Sequence, residues 1–157
     1  MPEYYCAMAA LQLIEFCTVT QELSPLPIQP AWIVEGKPEA RYCVLSRSID
    51  GTARTVIWDC SAGRFNWYYD VDETIYILQG SVEIKKPTGE VLRVGAGDSV
   101  LFRAGSHAEW TVSDYVRKIA FFRNPVPSYA MLLIRAGRAF RRLFKRGAGM
   151  GPSMSSA

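Results

Sequence analysis

Residues 63–80 read GRFNWYYDVDETIYILQG, and this stretch decides the architecture. Two glycines bracket two short runs, Arg64–Tyr69 and Thr74–Gln79, both rich in the aromatic and β-branched residues that fit a pleated, half-buried surface. Asp70, Asp72 and Glu73 lie between the runs, a composition that suits a turn. The pattern is strand, polar turn, strand, glycine.

The same punctuation continues outward in both directions. Upstream, AWIVE and RYCVLSRS lead to Asp50-Gly51, a favoured hairpin dipeptide, and RTVIWDC then runs into Gly63. Downstream come SVEIKK, the Thr88-Gly89 turn, EVLRV, a second turn at Gly95, Gly97 and Asp98, then SVLFR, HAEWTV and YVRKIAFF. Roughly ten short strands at close spacing are the signature of a sandwich or closed barrel. No helix-length pattern interrupts them, which excludes a parallel βαβ fold.

The flanks differ from this centre. Residues 1–24 read as a leader or short helix: CAMAALQLIEFC is apolar, but it lacks a preceding basic region and is interrupted by Glu15, unlike a signal peptide. Pro25, Pro27 and Pro30 then impose an extended connector into a barrel spanning 25–124. After Asn124-Pro125-Val126-Pro127 the period changes, and residues 125–146 read as a helical segment with Ser128 as N-cap. Tyr129, Leu132, Leu133, Ala136, Phe140, Leu143 and Phe144 share one helical face, with arginines opposite. Residues 147–157 form a small-residue tail.

Charge is unevenly distributed. Residues 1–114 hold nine Lys/Arg and fifteen Asp/Glu, a balance of −6, while residues 115–157 hold nine Lys/Arg and no acid, which gives +9 and the net +3 of the chain. A basic amphipathic segment at 128–146 most simply docks its apolar face on the barrel or on a second subunit and leaves its arginines solvated; the alternative is an anionic membrane surface or an acidic partner. Nucleic acid is disfavoured, because no binding motif accompanies the charge. Cys6, Cys17, Cys43 and Cys60 show neither a CxxC pair nor zinc-like spacing, and read as reduced thiols in a cytoplasmic protein.

Residues 63–80 resemble the first cupin motif, in which a glycine precedes two histidines and a glutamate, with a second glycine seven positions beyond the glutamate; Glu73 and Gly80 match. GDSVLFRAGSHAEW resembles the second motif through Gly97, Asp98 and Gly105. The span Pro27 to Arg123 is similar to the cupin branch named after ureidoglycine aminohydrolase. The resemblance implies an all-β fold, a double-stranded β-helix or jelly-roll barrel, often homodimeric, here followed by the amphipathic basic helix. It also implies a small-molecule ligand inside the barrel and a metal on three histidines and one glutamate.

That metal centre is what the chain departs from. His107 is the sole histidine. The first-motif histidine positions fall on Trp67 and Tyr69, or on Asn66 and Tyr68, and the second-motif position falls on Ala108. None of these is a good ligand for a divalent transition metal. His107 is one residue out of phase, which on a strand turns it to the opposite face. No cofactor and no metal are therefore expected.

Glu73 is the candidate catalytic residue, since crowding by Asp70 and Asp72 would tune it for acid–base work; the alternative is that it pairs with an arginine or ends a strand. Trp67, Tyr69, Tyr76 and Trp110 are the candidate pocket residues, able to stack on a flat or sugar-like ligand or simply to pack the core. Three functional classes stay open: a metal-free binding protein, a small-metabolite enzyme using Glu73, and a dimeric adaptor docking through its basic helix.

Overall fold

The computed structural model describes residues 14–125 and residue 130. Eight strands form one wholly antiparallel sheet: β1 (Ser24–Pro25), β2 (Ile33–Gly36), β3 (Ala40–Arg47), β4 (Ala53–Tyr68), β5 (Asp72–Lys85), β6 (Val91–Gly95), β7 (Ser99–Phe102) and β8 (His107–Arg123). The main path runs β1-β3-β4-β8-β5-β6, with β2 paired to β4 and β7 to β5. The three prolines at 25–30 give an extended stretch and a single 3₁₀ turn, Pro30–Trp32. Among the described residues no helix is long and apolar enough to cross a membrane.

Three of the expected turns are bends within longer strands. β4, β5 and β8 run for 16, 14 and 17 residues. The β4–β8 register slips between Ser61 and Gly63, and the β5–β8 register slips between Gly80 and Glu83. Such bulges kink a strand without ending it. The bend in β4 can be measured from its own side chains. Trp58 and Trp67 are nine residues apart, a span of about 30 Å in a straight strand, yet their ring centroids lie 6.1 Å apart. The sheet therefore folds over on itself, and one apolar core fills the space between its halves, with Trp58, Phe65, Trp110 and Val116 among its buried members.

Gly80 shows why the corner needs glycine. Its φ is +74°, and a Cβ would sit 1.9 Å from the Tyr115 carbonyl oxygen across the bend. The expected hairpin at Asp50-Gly51 does form, joining β3 to β4. The Asp50 carboxylate accepts hydrogen bonds from Ser48 and Thr52, which lower its pKa to about 2.

The chain divides into one unit ending at Asn124 and a second beginning at Pro125. Apart from residues 125 and 130, the helical segment expected over 125–146 and the tail at 147–157 lie outside the described residues, as do residues 1–13. Residues 14–23, part of the expected leader, carry no helix. Cys17, Cys43 and Cys60 are free thiols.

Candidate functional site

Strand alternation assembles the site in three cross-strand rows. Tyr42, Trp58, Lys118 and Ile77 are paired in register, then Val44, Val56, Ala120 and Ile75, then Arg47, Arg54, Phe122 and Glu73. Every second residue of β4 and β8 faces inward, so Arg54, Val56 and Trp58 lie beside Phe122, Ala120 and Lys118. Together with Leu26, Tyr42 and Trp67 these side chains enclose a cavity of about 320 Å³.

Glu73 and Lys118 meet in this cavity. Lys118 Nζ donates to Glu73 Oε1 at 2.6 Å, and the two residues are only 4% and 2% exposed. Ala120 and Ile75 separate their rows, and the small Ala120 side chain leaves room for the two charged groups to converge. The ammonium also lies 4.8 Å from the Trp58 ring centroid and 4.6 Å from that of Trp110, within the range of cation–π attraction. A buried ion pair gains enough from mutual attraction only when its geometry is good and further contacts support it. Here the two indoles provide that support. In the same wall, the Trp58 indole N–H is buried without an acceptor among the described residues.

The acidic cluster expected around Glu73 disperses. Asp70 is exposed in the turn, and Asp72 accepts the Ala104 backbone N–H at 3.0 Å. Glu73 is partnered by a lysine rather than by the arginine considered as an alternative.

The four aromatic candidates separate. Trp67 lines the cavity. Tyr69 and Trp110 belong to the packed core instead: Trp110 Nε1 donates to Tyr69 Oη at 2.9 Å, and Tyr69 stacks on Phe102 at 4.2 Å. Burial, reinforced by the charge of Glu73, raises the Tyr69 pKa well above the usual phenol range, so its hydroxyl stays neutral. Tyr76 is 43% exposed and opposes Ser99 and Ile119 in register, outside the cavity lining. Alternation explains this: Tyr76 is out of phase with Glu73, Ile75 and Ile77, which are buried.

The metal centre that the resemblance implies does not fit these residues. The positions matching its histidines hold Trp67, Tyr69 and a buried Ala108, and His107 is exposed, stacked on Tyr68. Glu73 is the one matching ligand, and a divalent cation beside it would meet the Lys118 ammonium. Among the described residues no group of three or more His, Cys, Asp or Glu could hold a metal ion.

Sequence reasoning missed Lys118, Arg47 and Arg54. A signal for Lys118 was present: it falls on the apolar phase of β8, between Val116 and Ala120, where a lysine has to find a partner.

Residues 47–120 match the family model of the EutQ-like cupin domain. A DUF861-family protein of unknown function from Pseudomonas syringae pv. tomato shares 25% identity with a TM-score of 0.62, covering 67% of this chain and 46% of its own. The chain thus spans about half the length of that relative. A DUF861-family protein from Thermotoga maritima is 41% identical over 41% of this chain and 73% of its own, with a TM-score of 0.39. KdgF from a Halomonas species, 13% identical, has a TM-score of 0.54 over 72% of this chain and 96% of its own. Comparison with curated proteins gives no match. With its bent antiparallel sheet and both motif turns in place, the chain carries a EutQ-like cupin domain at residues 47–120.

Proposed function

We propose that this cupin binds a small polar metabolite inside its barrel without a metal ion. The observation that carries the reading is the Lys118–Glu73 pair, buried in a cavity of about 320 Å³, with Glu73 at the position that matches the family's carboxylate ligand. The ammonium supplies, on a side chain, positive charge beside that carboxylate. Apolar walls and a few convergent polar groups are the usual make-up of a small-ligand site.

The test has two parts. Metal analysis of protein purified without chelators is expected to find no stoichiometric transition metal. A metabolite screen read by Trp58 and Trp67 fluorescence is expected to find a ligand whose affinity is unchanged by EDTA. Stoichiometric Mn, Fe, Ni or Zn that is lost in Glu73→Gln would overturn the proposal.

A second reading, a small-metabolite enzyme, is favoured by Glu73 being the sole acid among the described residues of the cavity lining, hydrogen-bonded to a proton carrier. Turnover of the screened ligand that disappears in Glu73→Gln would establish it. The basic segment at 128–146 is proposed as a separate docking element, on the strength of its charge.

A further inference from the structure

We propose that the ligand of the cavity is a small organic carboxylate with an apolar or ring-shaped body, its carboxylate bridged by Arg47 and Arg54. The inference deepens the binding reading above and rests on it. It starts from the charge of the lining, where among the described residues Arg47, Arg54 and Lys118 face a single acid, Glu73. Glu73 is engaged by Lys118 at 2.6 Å, so the two guanidinium groups account for the excess.

Arg47 and Arg54 are directly opposed across the β3–β4 ladder, and neither has a carboxylate partner among the described residues. Like charges facing each other across a ladder are unfavourable. A planar carboxylate between them would turn that repulsion into charge-assisted hydrogen bonds, for which the guanidinium fork is shaped. Both arginines are exposed at the rim of the cavity, where an anion reaches them without full desolvation. The Arg54 guanidinium is held 4.5 Å from the Phe122 ring centroid, which keeps it over the cavity side of the sheet.

Beyond the rim the lining turns apolar, with Val44, Val56, Ala120 and Phe122 leading toward the indoles of Trp58 and Trp67. A cavity of about 320 Å³ holds a body the size of a ring or a short alkyl chain. The Lys118–Glu73 pair then meets whatever polar group that body carries at its far end.

Full-length protein titrated with benzoate and hexanoate, and with their neutral amides benzamide and hexanamide, tests this through tryptophan fluorescence and calorimetry. The carboxylates are expected to bind at least about tenfold more tightly than the amides, and Arg47→Gln and Arg54→Gln are each expected to remove most of that difference. Thermal unfolding of each variant, expected to match the parent, separates lost binding from lost folding. Equal affinity for acid and amide, or an undiminished preference in both arginine variants, would overturn the carboxylate assignment while leaving the binding reading intact. So would inorganic phosphate displacing the carboxylates at equal concentration. Failure of all four compounds to bind would count against both readings.

Discussion

Lys118 and Glu73 each bury a charge that would be costly alone. Removing one partner leaves the other unpaired in the core, so Lys118→Met is expected to lower unfolding stability by about 3–5 kcal/mol. The double variant Glu73→Gln/Lys118→Met removes both charges and is expected to recover most of that loss in urea denaturation. If the double variant is as unstable as the single one, the pair is not what the core is built around. Cys60 gives a second residue-scale test. Burial, aided by the charge of Asp59, pushes its thiol from a usual value of 9.0 up to about 12. A pKa raised by folding stabilises the native state fully below the unfolded thiol value and loses that contribution as pH rises toward the folded one. The urea midpoint is therefore expected to fall between about pH 9 and pH 12, and to fall less in Cys60→Ala.

At the scale of elements, the strand corners are where single substitutions have the largest effect. Gly80→Ala would drive a Cβ into the Tyr115 carbonyl, so β5 could no longer bend there. A loss of at least about 4 kcal/mol, or failure to fold, is expected. Gly89 has a similar positive φ, +89°, but no atom within 4 Å of an added Cβ. Gly89→Ala should therefore show only the left-handed backbone penalty, about 1–2 kcal/mol, in the same denaturation assay. These corners also explain how far the sequence could be read. The strand content was legible because aromatic and β-branched runs and their glycines are local signals. The continuity of β4, β5 and β8 was not, because a glycine at a bulge and a glycine at a hairpin look alike until the partner strand is known. The site divides in the same way. Glu73 was found from its own motif. Its partner is 45 residues away and follows only from the β5–β8 register, which no local pattern specifies.

For the whole molecule, charge distribution is the feature with a direct test. Residues 128–157 carry six of the 18 basic residues and none of the 15 acidic ones, so a chain ending at 127 changes from net +3 to −3. The full-length protein is expected to sediment with vesicles containing anionic lipid, less so as salt is raised, and the truncated chain to stay in the supernatant. Equal sedimentation of both would sink the docking proposal for 128–146. The folded-over sheet has a different consequence, for how a ligand comes and goes. β4, β5 and β8 each run through a corner and contribute hydrogen bonds to both halves. Neither half has a complete ladder of its own, and no hinge separates them. Among the described residues the two halves share their long strands, so on the binding proposal a ligand would enter and leave at the arginine-flanked rim rather than by the halves swinging apart as lobes. Association should then follow simple one-step kinetics, with a rate set by diffusion and charge rather than by a conformational gate.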